Sequence, residues 1–222
     1  DKVSYEKAQK LYKGKNYLTD DMVFGYACAC RVKRDKYIRE CGSYILVSWR
    51  NLSNFLGKEK ENHLIDQLAD RIYEYSLISG ISQVVCLPLD SCMDLERNMY
   101  LNNMLVSRGL KSALEHSRDV EHITEVIANA SFFFSGRLHS SMVAEALEVP
   151  TYSISYSPKI ERFYDNIGKG NYINILTQRF PSIEDIINAV KNNSEIVPNW
   201  NQHRNASTSN LNLLLEAINE SI

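Results

Sequence analysis

The chain has 222 residues, 44% of them hydrophobic and 23% charged, and a formal net charge of −2. That length supports one large α/β domain with a sizeable core, and the near-neutral balance excludes the concentrated basic face on which nucleic-acid binding depends. No apolar run reaches the roughly eighteen residues of a membrane helix and the N-terminus carries no signal peptide, so the sequence predicts neither a span nor an export signal.

Residues 1–42 show no regular alternation. Ser4 reads as the cap of a short helix running through Leu11 or Tyr12, and Asp20 and Asp21 precede an apolar run from Met22 to Tyr26. Arg31, Lys33, Arg34, Lys36 and Arg39, interrupted by Asp35 and Glu40, read as a solvated connection. The five cysteines, Cys28, Cys30, Cys41, Cys86 and Cys92, are odd in number and lack the paired CxxC spacing that closes a zinc site. They read as reduced, mostly buried thiols, and no metal site is predicted. Asn-x-Ser/Thr triplets such as those starting at Asn51 and Asn129 read as chance products of an Asn-rich chain.

From residue 43 onward short apolar runs alternate with longer amphipathic segments, the pattern of βα units and a parallel sheet. Strands are predicted at Tyr44–Trp49, Gln83–Leu87, Ser131–Phe134, Thr151–Ser155 and Tyr172–Ile175, with a weaker one at Lys111–Leu114. Helices are predicted at Lys58–Ile78, Leu95–Ser107, Val120–Ala130, Leu138–Leu147, Lys159–Ile167 and Ile183–Lys191. Asp119 and Ser182 read as N-caps, Gly109 and Gly168 as stops. The predicted fold is α/β, a doubly wound, mostly parallel, Rossmann-like sheet with helices on both faces. A last helix at about Ala206–Ile218 carries Leu211, Leu214, Leu215 and Ile218 on one stripe and is expected to reach back onto the N-terminal segment. There is no repeat and no Gly-rich phosphate fingerprint.

In an open parallel sheet, ligands gather beyond the carboxyl ends of the strands. Arg50 and Asn51 follow the first strand, Gly136, Arg137 and His139 follow Ser131–Phe134, and Tyr156, Pro158 and Lys159 follow Thr151–Ser155. A helix N-terminus favours an anion there, guanidinium groups suit carboxylate and phosphate, and imidazole titrates nearest neutrality. Three positive charges would then face one strongly anionic small molecule. Each side chain also has a plainer reading: Arg137 as a carboxylate partner, His139 as a core histidine, Arg50 as a sheet-end residue paired with Asp66 or Asp90, Lys159 and Glu145 as solvent-facing charges.

The stretch SGRLHSSMVAEALEVP, residues 135–150, followed by ISYSPKIERFYDNIG, residues 154–168, resembles the signature of the polysaccharide pyruvyl transferase family. The strand end VSWRN at 47–51 resembles that family's arginine-bearing strand, and agreement in order and spacing runs over residues 44–190. DKVSYEKAQKLY at the start and Asp20–Asp21–Met22 resemble segments that lie earlier in the family. The resemblance implies a GT-B-like, two-domain enzyme of which this chain is the second half. Residues 1–42 would be the end of a truncated first domain and a linker, 43–198 the donor-binding domain, and 199–222 a helix packing back. It implies transfer of a pyruvyl group from phosphoenolpyruvate, with no cofactor, onto hydroxyls of a saccharide or lipid-linked saccharide for a cell-surface polysaccharide. The expected setting is the cytoplasm, with peripheral association at the inner face of the membrane. His139 would be the general acid; Arg137, grouped with it as catalytic, would hold the donor's carboxylate and phosphate together with Arg50, and Asn51, Gly136, Tyr156 and Lys159 would complete the binding site. Glu148 departs from the pattern, standing where relatives usually have glycine. Two other functions fit the residues. One is a GT-B glycosyltransferase using a nucleotide sugar, with Glu145 on the ribose, and the other is an anion-binding domain without catalysis.

Overall fold

The computed structural model describes residues 2–11, 21–37 and 44–219. Six parallel strands form one sheet: β1 (Tyr44–Ser48), β2 (Gln83–Cys86), β3 (Lys111–Leu114), β4 (Ala130–Ser135), β5 (Thr151–Ser155) and β6 (Tyr172–Asn174), in the order β3-β2-β1-β4-β5-β6. The chain winds outward from β1 through β2 to β3, returns to β4 on the other side of β1, and winds outward again. The order therefore reverses between β1 and β4, whose ends pair in register from Ile45 opposite Phe132 to Ser48 opposite Ser135.

The strands are apolar on both faces because both are covered. Ile45, Val47, Phe132 and Phe134 point into a core with Leu64, Ile65, Leu68 and Ile72 of α5 (Lys58–Ser79), Leu101 and Leu105 of α6 (Leu95–Ser107), and Ile183 and Ile186 of α10 (Ile183–Asn193). Leu46 and Phe133, one residue out of phase, face α7 (Val120–Ala128) and α8 (Leu138–Ala146). Each fully buried Phe or Leu contributes about 1.5–3 kcal/mol relative to exposure. The predicted sheet and six helices are present, five of them crossovers and α10 following the last strand, with α9 at Pro158–Ile167. Asp119 and Ser182 cap α7 and α10 through their side chains, and Gly109 and Gly168 sit at positive φ beyond α6 and α9. A one-turn helix, α4 (Ser53–Leu56), was not expected.

The first part of the chain differs more. Helix α1 covers Lys2–Leu11, so Ser4 lies within it instead of capping it, and Tyr12 lies outside the described residues. The apolar run from Met22 opens α2 (Met22–Val32), capped by Asp21, and α3 (Arg34–Tyr37) follows. Three residues of the basic cluster, Arg31, Arg34 and Lys36, are thus helical and paired instead of lying in a solvated connection, while Lys33 is an exposed cap between α2 and α3. Arg31 and Arg34 each lie 2.8 Å from Glu148, and Lys36 lies 3.3 Å from Glu121. Arg39 and Cys41 lie outside the described residues. The last helix, α11 (Trp200–Asn219), does reach back: Ser207 Oγ accepts from the Gly25 amide at 3.1 Å, and Phe24 stacks on His203 at 4.6 Å. The predicted stripe from Leu211 to Ile218 falls on side chains outside the described set. Cys28, Cys30 and Cys86 are buried with thiols pushed up by burial, Cys86 to about 12, while Cys92 is exposed.

Among the described residues Glu148, one position past the C-cap of α8, is the one non-glycine at positive φ, 59°. An L-residue there costs about 1–2 kcal/mol, and its two partly exposed ion pairs offset ~0.2–1 kcal/mol each. Glu148→Ala keeps the backbone cost and loses the pairs, whereas Glu148→Gly loses both. Glu148→Gly is expected to be about 1 kcal/mol more stable than Glu148→Ala in urea denaturation, and equal stability of the two would contradict the strain.

Candidate active site

The reversal between β1 and β4 brings two strand ends into close approach. The Gly136 amide donates to the Ser48 carbonyl at 2.9 Å, and a Cβ at Gly136 would lie 2.6 Å from that oxygen and 3.2 Å from the Arg50 amide nitrogen. Only glycine fits at that distance, and its absence of a side chain lets the β4–α8 turn press against Arg50. Arg137 is the extended N-cap of α8 and provides no side-chain cap. Its carbonyl instead accepts from Ser135, Ser140 and Ser141 hydroxyls at 3.1, 2.9 and 2.9 Å. The turn is thereby pinned from within, and the first N–H groups of α8 are left for an external acceptor. Helix α9 is similar, with Ser157 offering no side-chain cap and Pro158 at its first turn. Two uncapped helix N-termini therefore follow adjacent strands, β4 and β5.

The loop carrying Arg50 is held residue by residue. The Asn98 side chain accepts from the Trp49 amide at 3.0 Å and donates to its carbonyl at 2.8 Å. Asp94 accepts from the Asn51 amide at 3.1 Å. Glu61, fully buried, accepts from the Trp49 indole at 2.8 Å, from the Leu52 amide at 2.7 Å and from the Ser53 hydroxyl. Its charge is met by buried Arg97, whose Nε lies 3.0 Å away in an ion contact, too bent to count as a hydrogen bond. Burying a carboxylate is tolerable only with this much compensation. The Asn51 amide is spent inside the loop, donating to Met93 and accepting from Ser53.

Arg50 and Arg137 meet across this rim. Arg50 stacks on the Tyr156 ring at 4.6 Å and donates to its hydroxyl at 2.6 Å. It forms no ion pair among the described residues, and its Nε is buried without a hydrogen-bond partner. The anticipated pairing with Asp66 is not found, since Asp66 binds Arg108. Arg137 donates from Nε and Nη2 to buried Asp94 at 2.9 and 2.5 Å, and its Nη2 lies 3.7 Å from Asp90. The Asp90 carboxyl is held below the usual range by the Met93 amide first, then by the Cys92 amide and by both Arg137 and Arg50. Both guanidiniums thus act on one carboxylate.

The other sequence candidates form no hydrogen bond or ion pair with either arginine among the described residues. His139 is exposed in the first turn of α8, and its Nε2 lies 3.3 Å from Asp21, the cap of α2. Asp20 lies outside the described residues. Lys159 is exposed at the start of α9 and has no ion-pair partner among the described residues. Glu145 is not solvent-facing: it is buried, 2.7 Å from Lys169 and accepting from Asn171 at 2.8 Å, at the end of the sheet away from Arg50. A run of buried hydroxyls joins the two ends, from Ser135 to Ser141 at 2.9 Å, to Ser153 at 2.8 Å and to Tyr164 at 2.7 Å. Burial, followed by the Glu145 charge, pushes the Tyr164 phenol well up, so it stays protonated.

A fully parallel sheet with its polar groups gathered where the strand order reverses defines a Rossmann-like α/β domain. Comparison with known proteins narrows this. A family model described as polysaccharide pyruvyl transferase matches residues 1–158. The chain belongs to that family. No curated sequence matched the chain. Among solved structures, UDP-GlcNAc 2-epimerase from Neisseria meningitidis, bound to UDP-GlcNAc, is 14% identical with a TM-score of 0.51 over 90% of this chain and 54% of its own. The E. coli heptosyltransferase WaaC is 16% identical with a TM-score of 0.42 over 74% and 48%. The epimerase shares the fold, and the chain spans about half the length of each structure.

Proposed function

We propose that this domain binds phosphoenolpyruvate at the Arg50–Arg137 rim and, within the whole enzyme, transfers its pyruvyl group to two hydroxyls of a saccharide as a ketal. The observation that carries the reading is Arg50: a guanidinium without an ion pair among the described residues, beside two uncapped helix N-termini. Such a place favours a doubly anionic ligand over a neutral one. Arg50 and the free Nη1 of Arg137 hold carboxylate and phosphate, and the donor displaces Asp90, the more distant of the two carboxylates beside Arg137. Lys159, in the first turn of α9, adds charge at the leaving phosphate. Tyr156 keeps Arg50 in place.

The reaction needs a proton on the methylene carbon of the donor. His139 in its imidazolium form gives that proton, and positive character develops at the enol carbon. One sugar hydroxyl adds there, phosphate leaves with its bonding electrons, and the second hydroxyl closes the ketal. The hydroxyl protons leave to the imidazole and to the phosphate, so one donor and one diol give one ketal and one inorganic phosphate. No cofactor enters. The acceptor is a saccharide or lipid-linked saccharide held largely by the other domain, and the reaction takes place in the cytoplasm, by peripheral contact with the membrane when the acceptor is lipid-linked. No helix among the described residues is long and apolar enough to cross a membrane.

Titration calorimetry with phosphoenolpyruvate and with uridine diphosphate separates this from a nucleotide-sugar reading, in which Glu145 would hold the ribose. Saturable binding of phosphoenolpyruvate is expected. Mass spectrometry of lipid-linked sugars incubated with the whole enzyme should then show the ketal, and binding of uridine diphosphate alone would reverse the conclusion.

A further inference from the structure

Two carboxylates approach Arg137, and they are held in opposite ways. The Asp94 side chain is 1% exposed; one oxygen accepts from Arg137 Nε and Nη2 at 2.9 and 2.5 Å, and the other accepts from the Asn51 amide at 3.1 Å. It is fixed. The Asp90 side chain is 35% exposed and meets the same Nη2 only through Oδ2 at 3.7 Å, beyond hydrogen-bond reach. Its Oδ1 accepts from the Cys92 and Met93 amides at 3.0 Å each, and its carbonyl accepts from the Asp94 amide at 2.8 Å. One oxygen of Asp90 therefore closes the turn after β2, and the other is a loose end over the arginine. Cys92 and Met93 are exposed, so this turn lies on the surface.

The charge of that loose end bears on both arginines. After the Met93 and Cys92 amides, Arg137 and Arg50 each help to hold the Asp90 carboxyl ionised. An anion arriving at Arg137 must take the place of a carboxylate already attached to the chain. Its affinity is reduced by the fraction of molecules in which that competitor is away from the guanidinium. The exchange also runs backward: when phosphate is left behind as product, Asp90 is at hand to retake Nη2.

We propose that Asp90 is a built-in competitor of the donor site, covering the Arg137 guanidinium between turnovers and giving it up to phosphoenolpyruvate, so that donor and phosphate product both bind less tightly than the arginines alone would hold them. This role presupposes that the rim is the donor site. It adds a residue that sets affinity there and speeds the departure of phosphate.

Asp90→Asn tests it, because the asparagine Oδ1 still accepts from the Cys92 and Met93 amides while the charge facing Arg137 is gone. Titration calorimetry on the whole enzyme should show phosphoenolpyruvate and inorganic phosphate each bound ~3–5-fold more tightly than by the unaltered enzyme, the upper range for a partly exposed ion pair. Inorganic phosphate should become a stronger product inhibitor of ketal formation by the same factor. Asp90→Ser also keeps an oxygen for the turn and carries no charge. It should tighten binding in the same direction, which covers the case of an asparagine variant that fails to fold. Tightening in either variant supports the competitor, since a residue that only shaped the turn would leave affinity unchanged or weaken it. Unchanged or weaker binding in both variants would overturn the competitor and leave the donor site standing. Failure of phosphoenolpyruvate to bind the unaltered enzyme and both variants would remove the donor site and this role with it.

Discussion

Replacing His139 with alanine should lower pyruvyl transfer by ~10²–10⁴, the usual contribution of a positioned proton donor, while the dissociation constant of phosphoenolpyruvate changes less than ~3-fold. The separation of the two effects is the point of the experiment. The ring of His139 is exposed and touches Asp21, not the arginines, so its loss removes a proton source without loosening the rim. Asp21→Asn should reduce turnover by a smaller factor, because it alters the contact that orients the ring. Arg50→Ala supplies the contrast. It should weaken donor binding ~10–100-fold, since charge-assisted hydrogen bonds are worth about 1.5–3 kcal/mol each. Arg50 is a cleaner probe than Arg137, whose removal would strand buried Asp94. Phosphate release and ketal formation by the whole enzyme give turnover, and calorimetry gives binding. Unchanged turnover in His139→Ala would end the general-acid assignment.

Replacing Arg97 with methionine should cost about 3–5 kcal/mol of stability, the penalty for leaving one member of a buried ion pair uncompensated. For a chain of this size that lowers the melting temperature by roughly 6–20 °C. Both partners are almost completely enclosed, at 2% and 0% side-chain exposure, so solvent cannot take over the charge of Glu61. The damage reaches the site because Glu61 also holds Trp49, Leu52 and Ser53 on either side of Arg50. Donor affinity should fall with stability, although residue 97 is not placed in contact with the donor. Adding Glu61→Gln to Arg97→Met removes the stranded charge and should recover part of the loss. Chemical denaturation and calorimetry on the single and double variants check both statements, and an Arg97→Met protein as stable as the parent would remove the ion pair from the account.

The sheet was legible because its strands are short apolar runs bounded by caps and stops that act locally. Asp119 and Ser182 bond within their own first turns, so their meaning is contained in a few neighbouring residues. The arginines and Tyr156 were legible for a related reason, since each directly follows a strand and strand ends fall on one edge. The supporting shell was not legible. Glu61 reads as an ordinary acidic residue in the first turn of a helix, and nothing nearby announces that it will accept an indole N–H and a backbone amide from residues 49 and 52. Asp94 and Asn98 are equally silent, because their partners come from β1 and β4, far away in sequence. Glu145 was misread for the same reason. Its helix was expected to turn a polar face outward, but α8 is enclosed by the sheet on one side and by α2 and α9 on the others, so a charge there must be paired inside. The first forty residues lacked any alternation because α2 packs on helices instead of on strands.

Gly25 and Ser207 are bonded across 182 residues, and among the described residues Phe24, Ala27 and Cys28 pack in one cluster with side chains of α8, α9 and α11. On a ribosome adding ~5–20 residues each second, the oily flank of α2 emerges on the order of 10–40 s before Trp200 and its neighbours exist to cover it. The nascent polypeptide must carry that sticky surface until those residues are made, which marks α2 as the segment for holding chaperones to shield.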